Sequence, residues 1–226
     1  MINKVLNGSG AAKRRIVLVD DHPVLREGLA RMIDDQVDLE VAGQAASGPE
    51  ALRLLAKGLP DLVVLDLSLA GGDGLEVAKQ LHELHPELPV LILSQHDEAL
   101  YAERALRAGA MGYVMKQEPP DRVMQAIRSA LAGQAWVSER LSSRLLQSLR
   151  GNATGLKSQP LERLTNRELE IFRLIGQGQT VRTIADTLCL SPKTVETHKE
   201  HIKQKLNLKS GNHLLQYAIE CRSNFS

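Results

Sequence analysis

Cysteine is nearly absent: Cys189 and Cys221 are the only two in 226 residues. Two thiols make no disulfide framework, and each stands in an apolar helical context, so both are expected reduced, in the core of a cytoplasmic protein. No apolar run approaches the roughly 20 residues that span a bilayer, so no membrane association is expected. Residues 1–12 lack the apolar centre of a secretory signal, and 1–13 reads as a disordered polar leader. Aromatics reach only 3 %, yet with 43 % hydrophobic and 24 % charged residues the composition is that of a globular protein. Internal repeats are missing too. No sign of charge dominates, the formal net charge being +1, but residues 13–137 carry 13 Lys+Arg against 19 Asp+Glu, whereas 161–226 carry 10 against 7. An acidic front and a basic back imply two domains with different partners.

What is present is organised around Asp61-Leu-Val-Val-Leu-Asp66-Leu-Ser68-Leu-Ala-Gly71-Gly72-Asp73-Gly74. A continuous apolar run closed by turn residues reads as a strand buried on both faces of a parallel sheet. Asp66 stands at its carboxyl end, where α/β sheets collect ligands and chemistry. Alone, such an aspartate reads as the start of a turn. The same design recurs, however. Strands are expected at 15–19, 39–42, 62–65, 90–94 and 111–115, each followed by a helical pattern, the helices starting near Pro23, Pro49, Leu75, Glu98 and Pro120. Five strand–helix units in about 120 residues imply a doubly wound parallel sheet with right-handed crossovers. All carboxyl ends then share one edge, and on it fall Asp20, Asp21, Asp66, Ser94 and Lys116.

Three carboxylates at adjacent strand ends repel one another and raise each other's pKa unless a cation intervenes. A hard cation held by carboxylates and water is the usual arrangement for Mg²⁺. With Lys116 as a second positive group and Ser94 as a hydroxyl donor, Asp66 is equipped to accept a phosphoryl group. On Val19-Asp20-Asp21-His22-Pro23, Leu65-Asp66-Leu67, Asp73-Gly74, Ser94 and Gly109-Ala-Met-Gly-Tyr113-Val-Met-Lys116, residues 14–132 resemble a response-regulator receiver domain. The whole chain is similar to the NarL/FixJ branch of two-component regulators. The resemblance implies that Asp66 is the phosphoacceptor and that Asp20, Asp21, Asp66 and the Ser68 backbone carbonyl serve Mg²⁺. It implies phosphoryl contacts from Ser94 and Lys116, with Tyr113 as an aromatic whose rotamer follows Ser94; plain core packing is the other reading of Tyr113. It departs from the family at Leu69-Ala70-Gly71-Gly72, which lacks the usual proline. Altered phosphorylation or dephosphorylation rates are expected there, and unchanged kinetics in Ala70→Pro would remove that expectation.

Residues 133–160 read as a linker with a possible helix over 138–150. From 161 to 226 the pattern is helical throughout. Thr165-x-x-Glu168 is a capping box, and Ser191-Pro192 an N-cap followed by proline at the first helical position. This segment resembles the LuxR-type helix-turn-helix domain on Leu164-Thr-Asn-Arg-Glu168, Gly178, Ile184-Ala185, Leu190-Ser-Pro-Lys-Thr194-Val195-Glu-Thr-His198, Ile202 and Lys205-Leu206. On a helix from Pro192, Val195, Ile202 and Leu206 form one stripe and the opposite face presents Lys193, Glu196, Thr197, Glu200 and Gln204. Double-stranded DNA is the implied partner, with Lys193 and Thr197 at base edges, Lys199, Lys203, Lys205 and Lys209 mostly on phosphates, and Thr194 and Glu200 also among the DNA-binding residues. Glu196 and Glu200 either accept from cytosine or pair with Lys199 and Lys203, and pairing is favoured. So small a basic excess is thin for a monomer, so a homodimer is expected. The last helix offers Leu214, Leu215, Ala218 and Ile219, which serve either that dimer or the domain's own core.

The function expected is a transcriptional regulator switched by phosphorylation of Asp66 from a sensor histidine kinase or a small phosphodonor. It is not an enzyme beyond assisting its own phosphoryl transfer and autodephosphorylation. Two competitors are an adaptor acting through protein partners and a phosphatase of the haloacid dehalogenase kind; the latter needs an aspartate where Ser68 stands.

Overall fold

The computed structural model describes residues 12–69, 72–149 and 160–223. Strands β1 (Arg14–Val19), β2 (Leu39–Ala45), β3 (Leu62–Leu65), β6 (Val90–Ser94) and β7 (Gly112–Met115) form a five-stranded parallel sheet in the order β2-β1-β3-β6-β7. The two short strands between, β4 (Ser68–Leu69) and β5 (Gly72–Asp73), pair antiparallel just beyond Asp66 and were not expected. Ala70 and Gly71, where the chain departs from its family's loop, lie outside the described residues, as do 1–11 of the expected leader.

The apolar runs are continuous because both faces of the sheet are covered. Alternate residues point to opposite sides. Val17, Val19, Val63, Leu65, Val90 and Ile92 pack on one side, toward α2 (Gly48–Leu55), α3 (Gly74–Leu84) and α4 (Glu98–Arg107). Ile16, Leu18, Leu62, Val64, Leu91 and Leu93 pack on the other, toward α1 (Pro23–Asp34) and α5 (Pro120–Leu131). At about 1.5–3 kcal/mol for each fully buried aliphatic side chain, this double layer is the main fold-determining term. Gly109 ends α4 at φ 92°, and a Cβ there would lie 2.3 Å from the His82 ring, so the left-handed stop read from sequence is also a close approach.

The expected linker helix is α6 (Glu139–Leu149); residues 150–159 lie outside the described part. After a 3₁₀ turn at Pro160–Arg163 come α7 (Asn166–Gly176), α8 (Val181–Thr187), α9 (Pro192–Leu206) and α10 (Gly211–Ser223). Both halves of the Thr165–Glu168 capping box form, and Ser191 Oγ accepts from Thr194 N at 3.1 Å. Val195 and Ile202 are fully buried, as the stripe predicts. None of the described helices is long and apolar enough to cross a membrane.

Two expectations need correction. Cys221 is buried, but Cys189 is exposed: it occupies the turn between α8 and α9 at φ 51° and is no core residue. The α10 stripe splits. Leu214 and Ala218 are buried, and Ala218 lies so close to α7 that a Cβ on Gly176 would meet its carbonyl oxygen at 2.6 Å; only Leu215 (39 %) and Ile219 (50 %) remain exposed.

Candidate functional site

The parallel register carries four strand ends to one edge. Val19 pairs with Leu65, and the ladder runs on through Asp66 N donating to Val19 O (2.8 Å) and Asp20 N to Ala45 O (3.1 Å). Ser94 pairs with Met115, and Lys116 N donates to Ser94 O (2.7 Å). The sheet's own hydrogen bonds therefore position Asp20, Asp66, Ser94 and Lys116. Gly74 completes the floor: a Cβ there would lie 2.2 Å from Asp66 O and 2.6 Å from Leu67 Cα, so only glycine lets the start of α3 approach the strand end.

Lys116 Nζ lies 2.7 Å from both Asp66 Oδ2 and Asp20 Oδ2. Ser68 N donates to Asp66 Oδ1 at 3.1 Å, while His22 N donates to Asp20 Oδ1 at 2.8 Å. Asp66 is 2 % exposed and its carboxyl is held above the ordinary value. Burial is the largest cause, opposed by the Lys116 charge and hydrogen bond; repulsion from Asp20, which sequence reasoning put first, is a smaller contribution. Asp20, Asp21, Asp66 and the His22 ring bring ligand atoms within 4.8 Å of one another. Among the described residues Asp21 Oδ1 is buried without a hydrogen bond of sound geometry, although the His22 ring nitrogen lies 2.7 Å away. Three carboxylates around one ammonium leave an uncompensated negative charge and an orphaned hard oxygen. That donor set fits Mg²⁺.

Ser94 is fully buried and its hydroxyl accepts from His96 N at 3.1 Å. Tyr113 is buried, with its hydroxyl donating to His96 O at 2.9 Å. His96 was not foreseen. It is 4 % exposed, its Nε2 lies 2.7 Å from Ser68 Oγ and its ring stacks on Tyr101 at 4.6 Å. Burial, then the charges of Arg173 and Lys116, push its pKa down to about 4, so the ring is neutral. Nothing in its spacing marked it, because the contact with Ser68 spans 28 residues.

Contacts between the two halves were likewise invisible in the sequence. The Arg104 guanidinium of α4 donates to Leu161 O (2.5 Å), Leu164 O (2.8 Å) and Asn166 Oδ1 (3.2 Å). Asn166 Nδ2 donates to Asp73 Oδ2 at 2.7 Å, beside the acidic edge. A cleft of about 360 Å³ lies between the halves, lined by Asp21, His22 and His96 on one side and Arg167, Glu170 and Arg173 on the other.

The outer face of α9 points to solvent. Lys193, Glu196, Thr197, Glu200 and Gln204 are exposed, and Thr197 Oγ1 donates back to Lys193 O at 3.0 Å. Thr194 is half-buried, its hydroxyl 2.8 Å from Ser191 Oγ; Lys209, just beyond α9, is exposed. The favoured pairing of the acids is present, Lys199–Glu196 at 3.0 Å and Lys203–Glu200 at 2.7 Å. Lys205 is not on that face: its Nζ lies 2.7 Å from the buried Glu168 Oε2. Sequence reasoning saw Glu168 only as a cap.

Residues 16–128 match the family described as response regulator receiver domain, and 162–218 match bacterial regulatory proteins of the luxR family. The chain is 37 % identical over 211 residues to the oxygen regulatory protein NreC of Staphylococcus epidermidis, covering 91 % of this chain and 97 % of the relative. Among solved structures it is similar to a LuxR-family two-component response regulator from Aurantimonas (36 % identity, TM-score 0.56, 62 % of this chain and 99 % of the other). It is also similar to RcsB from Salmonella enterica bound to the rprA promoter in the presence of a phosphomimetic (26 % identity, TM-score 0.58, 91 % and 98 %).

Proposed function

Since the chain belongs to the two-component response regulators that carry a LuxR-type DNA-binding domain, we propose that phosphorylation of Asp66 switches its binding to double-stranded DNA. The observation that carries this reading is the buried Asp66 carboxylate, gripped by Lys116 at 2.7 Å and ringed by Asp20 and Asp21, on the edge that also holds the helical domain through Asp73–Asn166.

An Asp66 carboxylate oxygen attacks the phosphorus of a sensor kinase's phosphohistidine or of a small phosphodonor. The P–N or P–O bond of the donor breaks, its electron pair leaves with the donor group, and an aspartyl phosphate remains. Water later attacks, returning the carboxylate and inorganic phosphate. Asp20, Asp21, Asp66 and the Ser68 carbonyl would hold Mg²⁺, which would supply positive charge against the phosphoryl oxygens. Lys116 adds a second positive group, worth up to about 4 kcal/mol at 4 Å and an effective dielectric near 20. Ser94 supplies a hydroxyl to the phosphoryl group.

The new negative charge holds Lys116, already 2.7 Å from Asp66, and draws the Ser94 hydroxyl toward the phosphoryl group. Ser94 is bonded to His96 N and Tyr113 to His96 O, so this movement reaches the start of α4, the helix whose Arg104 holds the helical domain. The domain is released and pairs as a homodimer, for which Leu215 and Ile219 supply exposed apolar surface. Because the outer face of α9 is already exposed, the switch acts on domain placement and pairing. Lys193, Thr194 and Thr197 then approach base edges, Glu200 lies beside them, and Lys199, Lys203 and Lys209 meet phosphates. RcsB, solved on promoter DNA with a phosphomimetic, is a parallel. The units are the receiver (14–132), a linker containing α6 (133–160) and the DNA-binding domain (161–226), after a leader (1–13), in a cytoplasmic protein.

The test is DNA binding, on sites selected from a random pool, with and without acetyl phosphate and Mg²⁺, repeated on Asp66→Asn. Phosphodonor should tighten binding of the natural chain alone. Identical binding in every condition defeats the switch, and absence of any DNA binding favours an adaptor.

A further inference from the structure

A second cluster of metal-ligating side chains lies in the helical domain, away from the acidic edge. His198 and His201 stand three residues apart on α9, and their rings meet edge-on with centroids 6.4 Å apart. Glu168 of α7, 3 % exposed, faces them, and one ligand atom from each of the three lies within 4.8 Å of the others. His198 Nδ1 is buried without a hydrogen-bond partner among the described residues. The bonds that Lys205 Nζ and Thr165 N donate to Glu168 both land on Oε2, so ligation through Oε1 leaves them in place.

We propose that Glu168, His198 and His201 form a transition-metal site, suited to Zn²⁺, that fastens α9 to α7. Two imidazoles and a carboxylate are a known three-ligand set for this ion, with water in the fourth position. Ligand atoms at about 2.0–2.1 Å from a tetrahedral ion stand ~3.3 Å apart. His201 is exposed, so a change of rotamer can bring its ring nitrogen to that spacing. Two imidazoles select this ion class, whereas the three carboxylates around Asp66, with a single exposed imidazole from His22 beside them, favour Mg²⁺, so the two sites sort different cations. At 100° per residue, His198 and His201 fall on the flank of α9 between the buried stripe of Val195 and Ile202 and the outward face of Lys193 and Thr197. The ion therefore leaves the outward face open while fixing the helix that carries it. This site is independent of the Asp66 switch.

The test uses the untagged full chain in saturating Mg²⁺, which fills the acidic pocket. Zn²⁺ is titrated by calorimetry, and Co²⁺ serves as a spectroscopic probe of tetrahedral ligation. One Zn²⁺ should bind per chain, displacing Co²⁺ and its ligand-field bands. His201→Asn, at an exposed position, should keep the fold by circular dichroism and lose the bands. Its Zn²⁺ affinity should fall by roughly 100-fold or more, since losing even an outer-shell partner costs about 10–100-fold. His198→Gln should do the same, and Asp21→Asn should bind Zn²⁺ as the natural chain does. Absence of Zn²⁺ binding in the natural chain overturns the proposal, as does unchanged binding in His201→Asn. Loss of binding in Asp21→Asn alone assigns the ion to the acidic pocket and overturns it equally.

Discussion

Arg104→Ala should open the molecule without phosphorylation. Among the described residues, the guanidinium donates to Leu161 O, Leu164 O and Asn166 Oδ1 of the helical domain, and loses these bonds on truncation. Hydrogen bonds from a charged donor are worth about 1.5–3 kcal/mol each when buried. This side chain is half-buried, and water replaces part of what is lost, so the total is discounted to about 2–4 kcal/mol. At 1.4 kcal/mol per decade, the docking equilibrium moves by about 30- to 1,000-fold toward the undocked form. Small-angle scattering should show a larger radius of gyration than that of the natural chain. DNA binding without phosphodonor should approach that of the phosphorylated natural protein. Unchanged scattering together with unchanged DNA affinity would refute the reasoning, showing that the docked arrangement does not restrain the DNA-binding domain.

Other outcomes follow from the same geometry. Asp66→Asn should take no phosphoryl group from acetyl phosphate, read as the absence of a mass increase, while keeping its secondary structure. Gly74→Ala forces a Cβ against the Asp66 and Leu67 backbone; it should cost about 1–3 kcal/mol in urea unfolding and slow phosphorylation, whereas Gly72→Ala, whose Cβ would meet nothing within 4 Å among the described residues, should do neither. The hydrogen bond from Arg128 holds the Asp38 carboxyl below its ordinary value, the charge of Arg128 adding to it. Native Asp38 thus binds fewer protons than the unfolded chain just below the ordinary carboxylate range. The pair's stabilisation is present at neutral pH and lost as the pH falls through the native pKa. An NMR titration should show the Asp38 carboxyl returning toward its ordinary value in Arg128→Gln, and no movement would remove the pairing from the account.

Elements and their polarity were legible because they rest on local rules. Continuous apolar runs announced strands covered on both faces, and prolines and caps marked helix starts at Pro23, Thr165 and Ser191. The acidic site was legible for the same reason: in a parallel sheet every strand ends on one edge, so the residue after each strand has a known place. Sequence alone therefore determined that Asp20, Asp66, Ser94 and Lys116 would share one edge of the sheet. Only the tertiary structure decided what surrounds them. His96 joins Ser68 across 28 residues, and Arg104 reaches Leu161 across 57, distances over which periodicity carries no information. A helical wheel separates buried from exposed positions, but it does not say what lies beside a flank. Lys205 is drawn from the surface to Glu168, and Leu214 and Ala218 turn inward on α7 because a second helix happens to stand there. Local patterning determines which face of an element is buried, while the partner on that face depends on packing among residues far apart in the chain.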